Sequence, residues 1–114
     1  MTDQDLDREG ADWIAEMLSD DVGAFVPSEF CDLVIATERQ VREDVGDADM
    51  DHAAMAERLM AIFEADPQLP TQTGAITPML IFEVLHWEDE FRAMAGTPRT
   101  VRPSPPDWRP ARGS

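Results

Sequence analysis

Lysine, asparagine and tyrosine do not occur in this chain of 114 residues, and cysteine occurs once, at position 31. A single thiol excludes an internal disulfide framework and any zinc site built from several thiolates, and it suits a reducing compartment. The codons of the three missing residues are AT-rich, so base composition accounts for their absence and leaves arginine as the only fixed cation. Apolar runs are short, none approaching the roughly eighteen residues of a membrane span. Met1-Thr2-Asp3-Gln4-Asp5 lacks the basic start and apolar stretch of a signal peptide. A cytoplasmic protein without membrane contact is the expectation. There is no glycine-rich phosphate loop, nucleophile elbow or zincin motif, so the sequence assigns no catalytic residue and no cofactor.

What is present is a division of charge. Residues 1–96 carry twenty-three Asp or Glu against five Arg, net −18, whereas residues 97–114 carry four Arg against Asp107, net +3. Nucleic-acid affinity comes largely from Lys and Arg neutralising phosphates, which excludes direct nucleic-acid binding by the acidic body. Adaptation to high salt is a second account of such a surface, because dense carboxylates keep a protein hydrated while salt screens their repulsion. Hydrophobic residues make up 43% of the chain, enough for burial to offset chain entropy in one domain of this length. The division thus predicts an acidic helical domain over 1–96 and a flexible Pro/Arg-rich tail over 97–114.

Periodicity within the body is helical throughout. Leu6, Trp13, Ile14, Met17 and Leu18 form a stripe over about 3–20, with Gly10 a weak point. After Pro27 and a capping Ser28, Phe30, Leu33, Val34, Val41 and Val45 predict a helix over 29–45 that Gly46 ends, with Glu38 and Arg42 on a solvated face. Asp47, Asp49 and Asp51 supply caps for a third helix, in which His52, Met55, Ala56, Leu59, Ile62 and Phe63 share a side until Asp66-Pro67 stops it. Thr77 and Pro78 open a fourth, with Ile76 and Ile81 as a staple and Gly96 beyond its end. Leu80, Val84, Trp87, Phe91 and Met94 recur along it, and its first half is apolar nearly all round, which makes it the central element or a subunit contact. The fold expectation is all-α, a compact bundle of about four helices with a disordered Pro/Arg-rich C-terminal tail.

Candidate chemistry is sparse. Asp47-x-Asp49-x-Asp51 resembles the opening of a calcium loop but has His52 where a glycine makes the turn and Arg58 where a glutamate closes the site, so capping is the preferred reading. Glu83 and His86 have the Glu-x-x-His spacing of di-metal bundles, which supports an alternative reading as a carboxylate/His metal-binding oligomeric bundle. Cys31, among Phe30, Leu33 and Val34, reads as a small buried hydrophobe. The most motif-like stretch is the tail from Arg99 to Pro110, where prolines preform an extended backbone around Arg102, Trp108 and Arg109. Trp is unusual in inert linkers, so Trp108 is expected to contact something ordered, such as this protein's own body. These features predict a non-enzymatic protein-protein interaction module of the acidic adaptor, chaperone-like or inhibitor type, binding a protein partner or forming a homo-oligomer. Its partner-binding residues are Trp108, Arg99, Arg102, Arg109, Trp87 and Phe82, and no metal residue is assigned.

Overall fold

Each apolar stripe becomes a helix in the computed structural model, which describes residues 3–23, 26–69, 76–98, 100–105 and 108, with side chains in the first helix from Arg8 onward except Val22. The order is α1 (Asp3–Val22), α2 (Ser28–Val45), α3 (His52–Glu64) and α4 (Pro78–Met94), with no strand among the described residues. None of these helices is long and apolar enough to cross a membrane. The described tail residues lie in neither helix nor strand. A Cα radius of gyration of 13.5 Å is that of a tightly folded chain of this length.

The helix boundaries follow from local chemistry. Thr77 Oγ1 accepts the Leu80 N–H at 3.1 Å, and Pro78 sits where its missing donor costs nothing. Asp51 likewise accepts the Ala54 N–H at 3.1 Å at the start of α3. Gly46 closes α2 at φ 73°, a left-handed conformation that favours glycine, and its N–H returns to the Arg42 carbonyl at 2.9 Å. The expected Ser28 cap is corrected. α2 starts one residue earlier than the cap reading requires, with Pro27 at the N-cap position and no side-chain hydrogen bond there. The Pro27 carbonyl accepts the Phe30 N–H at 3.1 Å, so Ser28 lies already inside the first turn.

α2 and α4 each touch all three other helices, α1 and α3 do not touch each other, and α3 packs mainly on α4. Ile81, Val84 and Leu85 of α4 are fully enclosed together with Ile14, Leu18, Val34, Met55 and Leu59. Gly10 is buried rather than a weak point at a frayed end. A Cβ built there would meet the Phe91 ring at 3.0 Å, so the missing side chain is what lets α1 and α4 approach. Trp13 closes the same seam, 5.7 Å from the Trp87 ring and 5.9 Å from Phe91. Three stripe members are corrected to exposed positions. Val45 and Met94 end their helices beyond the core, and Ile62 flanks the stripe of α3, whose other flank, Met60, is buried instead.

Candidate functional site

The α2–α3 turn is braced from inside the bundle. Glu38 is 1% exposed and receives Arg42 Nη2 at 3.0 Å, while Arg42 Nη1 donates to the carbonyls of Ala48 (3.0 Å) and Met50 (3.1 Å). This pair was expected on a solvated face and is corrected to the interior. Glu38 stands four residues after Val34 and three before Val41, both buried, so the α2 stripe passes through it. Glu88 repeats the arrangement on α4, 3% exposed with Arg92 Nε at 3.2 Å. Glu38, Arg42 and Arg92 line a common cavity of about 260 Å³.

The braced turn presents two acceptors to the tail. Arg102 donates in a fork to Asp47, Nη1 to Oδ1 at 2.9 Å and Nη2 to Oδ2 at 2.5 Å, and its backbone N–H donates to the Asp49 carbonyl at 2.8 Å. The guanidinium hydrogen bond holds the Asp47 carboxyl below the usual carboxylate range. Two residues on, Ser104 Oγ accepts the Ala53 N–H at 3.1 Å. That donor is one of those left unpaired at a helix start, so the tail completes the cap of α3 beside Asp51.

Trp108 then stacks on Phe82 of α4, with centroids 5.0 Å apart and planes 23° from parallel. Behind Phe82 lies His52, 6.1 Å away and edge-on. His52 is buried at the first position of α3, and its Nε2 lies 2.8 Å from Asp89 Oδ2, though the two are not aligned as a hydrogen bond. Phe82 and Asp89 are seven residues apart on α4, so one face of that helix supplies both neighbours of the imidazole. The result is a surface of acidic turn, helix start and aromatic ring, met by Arg102, Ser104 and Trp108 of the tail.

Of the residues expected to bind a partner, Arg102, Trp108 and Phe82 are therefore gathered on one face. Trp87 is placed elsewhere, in the α1–α4 seam against Trp13 and His86. Arg99 and Arg109 lie outside the described residues. Asp47 and Asp51 act on the tail and as a cap, while His86 is exposed and Glu83 partly so. Among the described residues no three His, Cys, Asp or Glu side chains are gathered as a metal site. Cys31 is fully buried, and burial pushes its thiol up to about 12.

A second concavity, about 920 Å³, lies between α1 and the start of α2, where Asp12, Glu16, Asp20 and Glu29 surround Ala15 and Val26. The corner beneath it is tied by Ser19, whose Oγ accepts the Val26 N–H at 2.7 Å. Comparison of the chain with family models, curated proteins and solved structures finds no match.

Proposed function

We propose that this protein is a non-enzymatic interaction module, a small acidic body of the adaptor, chaperone-like or inhibitor type that binds a cationic protein partner in the cytoplasm. One observation carries the reading: the body already holds a cationic, proline-spaced segment on its surface, with Asp47 and Arg102 joined across fifty-five residues of sequence. The bidentate fork selects arginine over lysine, and the stacked indole adds an apolar anchor. Beyond that contact, the carboxylates around the α1–α2 concavity extend the negative field that would draw a basic partner in.

The test is to isolate a binding partner with the full chain at low salt and then measure association of the purified pair. Steered encounter makes the association rate fall by about tenfold or more between about 50 and about 500 mM salt. Charge reversal of Asp12, Glu16 and Asp20 to Arg slows it further without altering helicity. A rate indifferent to both salt and charge reversal, or no associating protein, would discard the proposal.

A further inference from the structure

We infer that the α3–α4 face around Phe82 is a docking surface for an extended, arginine- and proline-bearing segment of a partner protein, and that the chain's own Arg102, Ser104 and Trp108 fill it in cis. This rests on the interaction-module reading and names its site and partner chemistry. The face recognises three features at fixed spacing. Asp47 takes an arginine, the Ala53 N–H takes a hydroxyl two residues later, and Phe82 takes an aromatic ring four residues beyond that. Pro103 and Pro105 lie between them, so the bound backbone is stiffened and little chain entropy is lost on docking.

The occupant is exchangeable because it is not part of what holds the helices together. No described tail residue is buried, and the enclosed core is drawn wholly from residues 11–85, with Trp108 packed against it from outside. The contacts described for Arg102, Ser104 and Trp108 end on Asp47, the α2–α3 turn, the first turn of α3 and the Phe82 ring, so another segment carrying the same groups meets the same surface. Charge complementarity selects the occupant as cationic, since the body is net −18. Tethering gives the resident tail a high local concentration, which lowers the apparent affinity for any competitor by the fraction of time the face is filled. The tail is thereby an inhibitor of its own docking face.

The experiment uses the full chain and a labelled synthetic peptide spanning residues 100–109. Fluorescence anisotropy compares wild type with the Arg102→Ala, Trp108→Ala double variant, whose own strap is weakened, and circular dichroism confirms that each is folded. The weakened chain is expected to bind the peptide at least tenfold more tightly than wild type. Adding Phe82→Ala removes that gain. Because Phe82 is half-buried, a second arm places Asp47→Arg in the weakened chain: binding of the arginine peptide is lost and binding of a peptide carrying Arg102→Glu appears. Equal affinity of wild-type and weakened chains, or failure of the charge exchange, overturns the inference. So does a wild-type dimer that dissociates on Trp108→Ala, which would make a second copy the occupant. Failure here with salt-steered partner association intact removes the docking face alone; loss of that association removes the module reading itself.

Discussion

At the scale of single residues, the two positions with the sharpest consequences are ones whose side chains do least. Cys31 has no exposed surface, and its thiol is pushed up to about 12 by burial from a reference near 9. A folded-state pKa above the unfolded value means a stabilising contribution that is complete below about pH 9 and fades as pH climbs toward about 12. Native protein should therefore resist thiol reagents at pH 8 and react fully in denaturant. Its alkaline unfolding should shift upward in pH in Cys31→Ala. Gly10 gives a second prediction. Gly10→Ala gains about 1 kcal/mol of helix propensity but pushes on the Phe91 ring, leaving stability within about 1 kcal/mol of wild type. Gly10→Val cannot relax in the same way and should cost about 1–3 kcal/mol in chemical denaturation. The spacing of Cys31 among apolar neighbours announces its burial, whereas nothing local in the sequence says that Phe91 faces Gly10. That contact is made by the crossing of two helices and joins residues eighty-one apart in the chain.

Elements were legible where a period and a cap agreed. Thr77, Pro78, Asp51 and Gly46 mark boundaries that the structure keeps, because each answers a need of the nearest helical turn alone. The failures share a different cause. Glu38 sits on the apolar stripe of α2, and an acid followed by arginine four residues later reads as a solvated pair unless the stripe running through it is given precedence. The partial view of the site has the same origin: Arg102 and Trp108 stand out by composition, but Asp47, Ala53 and His52 become part of the face only when α3 and α4 pack. At this scale the structure predicts that Glu38→Ala, which leaves Arg42 with the two turn carbonyls alone, costs about 1–3 kcal/mol, while Glu38→Gln retains a hydrogen bond and costs less. Arg42 also holds the turn that carries Asp47. A carboxyl titration followed by NMR should accordingly show Asp47 protonating at higher pH in Arg102→Ala than in wild type, where the contribution of that contact persists above the ordinary carboxylate range and is lost on acidification.

For the whole molecule, the balance between a net charge of −15 and a single modest core sets the response to solvent. Self-repulsion among carboxylates weakens as salt screens them, so the melting temperature should rise from low salt to a few hundred millimolar, measurable by circular dichroism. Deleting residues 98–114 removes the Ser104 cap and the cover on Phe82 but no buried residue among those described, and helicity should survive with a melting temperature lowered by less than about 10 °C. A collapse of the fold on truncation would show that the strip is structural after all.

The late place of α4 in the chain bears on how the protein comes into being. On a ribosome the chain emerges from its N-terminus, so α1, α2 and α3 are made before the helix on which α3 mainly packs and which covers a second face of α1. Until Pro78 and the turns after it are released, α1 has only α2 to pair with and much of its apolar side has no cover. Productive folding is thus postponed until α4 has been made, and a nascent chain stalled short of α4 is a client for chaperones and proteases rather than a smaller working domain.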